Sequence, residues 1–100
     1  REGAGMSRVK MEVARARRLR VLEWLHRGSD GAGRTVVSLR LLALETGLTY
    51  AQARSVVRHL AGEGLVEVEH RALSNGGAAD NAYSLTDAGR KALERALERG

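Results

Sequence analysis

Apolar positions along the chain change their period several times, and each change marks an element. From Ser7 to Arg27 no helix breaker occurs and Ala, Leu, Arg and Glu dominate, which predicts a first helix. Leu19, Val21, Leu22, Trp24 and Leu25 crowd more than one face of it, so this half is expected in the core, with Trp24 among the buried residues. The stretch Arg8 to Arg18 is poorer in large apolar residues and is expected to project from the core or pack on a partner. Gly28-Ser29-Asp30-Gly31-Ala32-Gly33 is a loop by its turn residues. Thr35-Val36-Val37 is a short β-branched run that predicts a strand.

Ser38 is placed to cap a second helix over Leu39 to Thr46, which Gly47 stops. Leu41, Leu42 and Ala43 supply its apolar side. Thr49 and Gln52 have the spacing of a capping box, so a third helix starts there and runs to about Ala61. Gly62-Glu63-Gly64 ends it. Leu65 to Glu69 alternates as a half-buried strand, and Ala82 to Leu85 alternates again. Between them, Arg71 to Asn81 is a polar loop carrying Ser74-Asn75-Gly76-Gly77, so the two runs predict a hairpin with a long tip. Thr86 caps a last helix through about Leu97, with Asp87 in the first turn where the helix dipole favours an acid. The fold class expected is mostly helical α+β: a helix, a strand, two helices across a tight turn, a β-hairpin and a C-terminal helix.

Composition narrows what such a domain does. One hundred residues allow one domain. Arg1 to Gly5 read as an appended tail before Met6 as the native start, and residues 6–100 read as a single domain. Seventeen Lys+Arg against twelve Asp+Glu leave a formal charge of +5, which favours a polyanionic partner. With no Cys there is no disulfide, thiolate metal site or cysteine nucleophile. His26, His59 and His70 are too scattered for a metal motif, and no catalytic set is visible, so neither cofactor nor enzymatic activity is expected. No apolar run reaches the roughly 18–20 residues of a membrane span, and no signal peptide pattern opens the chain, so a cytoplasmic setting is the default. No residue pattern marks a small-molecule effector site.

The candidate chemistry lies on the third helix. Ala51, Arg54, Ser55 and Arg58 fall on one face, opposite Leu48, Ala53, Val57 and Leu60. Small residues interleaved with arginines suit a helix entering a major groove, because Ala and Ser let the backbone approach while Arg reaches guanine edges or phosphates. Thr49 and Tyr50 stand at the helix N-terminus, where hydroxyls and amides can hold a phosphate. Arg71, with His70 and Asn75, is placed to reach the adjacent minor groove. Arg8, Lys10, Arg15, Arg17, Arg18 and Arg20 on the first helix offer further backbone contacts. Glu67 and Glu69 run against this scheme, since acids on the hairpin oppose phosphate approach unless they face away from it.

Three segments carry a resemblance. Ser38 to Thr49 (SLRLLALETGLT) resembles the helix–turn of the winged helix-turn-helix transcriptional regulators. His59 to Val66 (HLAGEGLV) resembles the end of their recognition helix leading into the wing. Tyr83 to Arg90 (YSLTDAGR) is similar to the wing exit of MarR-like and PadR-like members. The resemblance spans roughly Leu19 to Leu93. It implies a DNA-binding transcriptional regulator with a recognition helix at about 49–61 and a wing at about 65–86. It also implies that Arg54, Ser55 and Arg58 face double-stranded DNA, that Arg71 belongs to the wing, and that the protein is a homodimer. The first and last helices would pair through residues such as Val9, Val13, Leu93 and Leu97. The rival reading is a winged-helix protein-interaction module, or an adaptor in DNA partitioning or replication.

Overall fold

A computed structural model describes residues 2–70 and 81–99, with side chains from residue 10 onward. The order is α1 (Glu2–Arg27), β1 (Arg34–Val37), α2 (Leu39–Thr46), α3 (Tyr50–Gly62), β2 (Val66–Glu69), β3 (Asn81–Leu85) and α4 (Asp87–Arg99). This is the mostly helical α+β architecture expected. Boundaries move most at α1, which already runs from Glu2 rather than Ser7, and at α4, which extends to Arg99; the strands shift by one residue, β1 starting at Arg34, β2 at Val66 and β3 at Asn81.

The strands form one antiparallel sheet in the order β1-β3-β2. Thr35 lies opposite Tyr83, and Tyr83 opposite Val68, so these three share one face. Arg34, Ser84 and Glu67 line up in the same way on the other face. The first face closes on the helices. Val21, Leu22 and Leu25 of α1, Leu42 of α2, Val56, Val57 and Leu60 of α3, Tyr83 and Leu85 of β3 and Leu93 of α4 form the core. Trp24 is half-buried and packs against this cluster from its edge. Leu41 departs from expectation. It is exposed, and Thr46 takes the third buried place of α2 beside Leu42 and Ala43. The Thr46 hydroxyl donates to the Leu42 carbonyl at 2.7 Å, so it enters the core without an unpaired polar atom.

Local chemistry sets the joints. Ser38 accepts from the Leu41 amide and starts α2, and Gly47 ends it in the left-handed region at φ 71°. Arg20 donates from α1 to the Thr46 carbonyl at 3.0 Å, closing the same helix end. The buried Thr35 hydroxyl donates to the Leu25 carbonyl at 2.8 Å and pins β1 to the end of α1. Before β1, one Asp30 carboxylate oxygen accepts from the Ala32 and Arg34 amides at 2.8 and 3.0 Å. Those two backbone hydrogen bonds, Arg34 first, hold the Asp30 carboxyl below its ordinary range.

The start of α4 is tied to the end of α3. The Thr86 amide donates to the Leu65 carbonyl, and the Thr86 hydroxyl donates to Gly64 O at 2.6 Å while accepting from the Gly89 amide. Gly89 is buried against the Leu65 carbonyl with no room for a Cβ.

Candidate nucleic-acid interface

The helix that carries the candidate residues is locked at its start. The Thr49 hydroxyl accepts from the Gln52 amide at 3.1 Å, and the Gln52 side-chain oxygen accepts from the Thr49 amide at 3.0 Å. This is the capping box expected from the spacing. It commits an acceptor position of Thr49 to the helix and leaves its O–H available as a donor.

From this start α3 divides into two stripes. Ala53, Val56, Val57 and Leu60 are buried. Ala51, Arg54, Ser55 and Arg58 are exposed on the opposite side, as expected, and Tyr50 beside them is 55% exposed. Val56 is an inward residue that the sequence reading did not place; Leu48 is only half-buried. Tyr50, Ala51, Arg54, Ser55 and Arg58 together line one shallow depression of about 340 Å³. A second groove, of about 550 Å³, runs between α3 and the sheet. Tyr50, Arg54 and Arg58 form its helical wall, and Val68, His70, Asn81 and Tyr83 form its other wall. Asn81 donates to the Tyr83 hydroxyl at 3.1 Å, within β3. Asn81 and His70 thus join Arg54 and Arg58 at one groove, Asn81 at the start of β3 and His70 just past the end of β2.

Electrostatics favour an anion on this surface. Neither concavity contains an acidic residue. Arg54 and Arg58 make no ion pair with any described residue. The hairpin acids lie elsewhere. Glu67 and Glu69 line a separate depression with Arg34 and Ser84, on the sheet face turned from the core. Glu69 is paired with Arg34 at 2.6 Å. The pleat thus puts these acids on the face opposite Val68 and Tyr83, since alternate side chains of β2 point to opposite faces.

Arg71 and Asn75 lie outside the described residues. The first-helix arginines separate into distinct environments: Arg20 serves α2, Arg15 lines a groove toward α4, and Arg17 lines a cleft toward α3. Of the residues named for pairing between protomers, Val13 and Leu97 are exposed. Leu93 is not available, being 3% exposed in the core, because its position on α4 faces α1 and the sheet within the same chain. The side chain of Val9 is outside the described set. Met11, 62% exposed, adds an apolar residue to α1 that the sequence reading passed over. No described helix is long and apolar enough to cross a membrane.

The order of elements, the capped helix pair and the three-stranded sheet define a winged-helix fold. Solved structures share this fold. A candidate DNA-binding protein from Ralstonia eutropha JMP134 aligns with a TM-score of 0.60 at 25% identity, over 81% of this chain and 94% of that one. A homodimeric winged helix-turn-helix DNA-binding domain from Mycobacterium bovis aligns with a TM-score of 0.58 at 20% identity, over 92% and 74% of the two chains. A MarR family regulator from Neisseria meningitidis aligns with a TM-score of 0.59 at 17% identity, over 97% and 68%. No protein-family model and no curated protein sequence matches the chain.

Proposed function

We propose that this protein is a double-stranded DNA-binding transcriptional regulator of the MarR-like or PadR-like kind. The observation that carries the reading is the exposed stripe of α3, where small residues alternate with two arginines free of described ion pairs in acid-free surroundings. In this reading α3 enters the major groove. Arg54 and Arg58 meet guanine edges or flanking phosphates, and Ala51 and Ser55 let the helix backbone come close. Tyr50 and the Thr49 O–H hold a phosphate at the helix start. Arg71 and Asn75 reach the minor groove or backbone from the wing. Two copies pair through α1 and α4, with Met11, Val13 and Leu97 as exposed apolar residues, and read a two-fold site. Occupying such a site blocks or recruits the transcription machinery.

Selection from a random duplex pool, followed by sequencing of the retained fraction, tests this. Enrichment of a two-fold motif is expected. Salt-sensitive retention without enrichment would replace regulation by an architectural or partitioning role. A second reading, a protein-interaction module, is favoured by one feature: Leu41 and Leu44 on the outer side of α2 are 43% and 76% exposed. It predicts no duplex binding even at low salt.

A further inference from the structure

We propose that the cleft between α1 and α3 seats a backbone phosphodiester of the bound duplex, held by Arg17 and Arg18. This rests on the DNA-binding reading of α3 and extends its footprint onto a helix outside the helix-turn-helix. The cleft has a volume of about 310 Å³. Arg17 and Arg18 enter it from α1, and Ser55 and His59 from α3. No acidic residue lines it.

Its position decides the ligand. Ala51 and Ser55 line both this cleft and the depression on the exposed face of α3, so the two are continuous. A duplex lying along that face brings one strand's phosphates past the cleft mouth. The Ser55 hydroxyl and the two guanidiniums supply the donors a phosphodiester requires. Arg17 and Arg18 are not consumed internally; neither makes an ion pair with a described residue. By contrast Arg20 is spent on the Thr46 carbonyl, and Arg15 lines only the groove toward α4; Arg18 borders both that groove and this cleft, and Arg17 borders this cleft alone. His59 lies 3.4 Å from Glu63, and the two arginines are the permanent charges of the cleft. The open, half-polar cleft has no enclosed apolar body that would hold a free organic anion.

The test uses the full chain, a duplex recovered by selection and an unrelated duplex, titrated at several salt concentrations. Arg17→Ala should reduce the slope of log K against log salt by about 0.9, the value of one phosphate contact, on both duplexes alike. Base preference and oligomeric state, followed by competition and light scattering, should not change. Arg15→Ala should leave the slope at the wild-type value. An unchanged slope in Arg17→Ala, or a loss explained by altered oligomeric state, overturns the proposal while leaving the α3 reading intact. Wild-type protein that binds no duplex overturns that reading as well. Inorganic phosphate serves as the second probe: binding that Arg17→Ala abolishes, with the duplex slope unchanged, would make the cleft a free-anion site and overturn the duplex contact.

Discussion

Arg34 and Glu69 meet at 2.6 Å across the central strand of the sheet, although their own strands are not neighbours. The pair lies on the face opposite Thr35, Tyr83 and Val68, turned from the core. Both side chains are well exposed, so the pair contributes at most about 1 kcal/mol. Glu69→Gln should therefore leave stability nearly unchanged. It should also change duplex affinity by less than the roughly tenfold that 1.4 kcal/mol represents. A large gain in affinity in a fluorescence anisotropy titration would mean that the acid opposes a phosphate and that the sheet docks the other way round.

Gly89 and Leu65 supply the sharpest test of packing. A Cβ at Gly89 would strike the Leu65 carbonyl, which is backbone fixed by the Thr86 amide and cannot yield cheaply. Gly89→Ala should cost at least about 1–3 kcal/mol, the usual range for overpacking. Gly62→Ala is the control: it has open space and ordinary helical φ, so it should be neutral or gain a few tenths to about 1 kcal/mol. Thermal unfolding of both variants decides the matter, and equal melting temperatures would contradict the close approach.

Asp30 links acid stability to the loop before β1. Its carboxyl is held below the ordinary range by the Arg34 and Ala32 amides. A lowered folded-state pKa means the stabilisation is present above the unfolded value and is lost as pH falls through the folded one. Asp30→Ala should thus flatten the acid limb of the stability curve and lower stability at neutral pH. Urea unfolding measured from pH 7 downward reads both. An acid limb identical to wild type would remove Asp30 from this role.

Thr49 separates capping from binding. Thr49→Ala removes the acceptor for the Gln52 amide and should cost about 0.5–2 kcal/mol of stability. Thr49→Ser keeps both the cap and the O–H donor. If the hydroxyl holds a phosphate, Ala should weaken duplex binding at a temperature where both variants are folded, and Ser should restore it. Loss of stability with unchanged affinity would confine Thr49 to the cap.

How far the residues foretell these relationships depends on their range in sequence. Ser38, Gly47, Thr49 with Gln52, and Thr86 act within a few residues, so the starts of α2, α3 and α4 and the end of α2 were legible, while the start of α1 was not. The exposed stripe of α3 follows from its period alone. Pairings across the chain were not. Thr35 pairs with Tyr83 across 48 positions, and nothing in a four-residue strand names its neighbour. The same holds for Arg20 on the Thr46 carbonyl and for Glu69 with Arg34. Leu41 and Leu93 show the other limit. Both are apolar residues on amphipathic helices, and only the packed neighbours decide that Leu41 faces out while Leu93 is buried.

The central claim is that the exposed face of α3 reads DNA, and Arg54 and Arg58 test it most directly. The measurement is the affinity of wild type, Arg54→Ala and Arg58→Ala for a selected duplex and for a scrambled one at fixed salt. Each substitution that removes a base contact should cost about 1–3 kcal/mol on the selected duplex, less on the scrambled one, and so relax discrimination. Both side chains are exposed and make no ion pair with a described residue, so melting temperatures should stay near wild type. Wild-type affinity and discrimination in both variants would contradict the account.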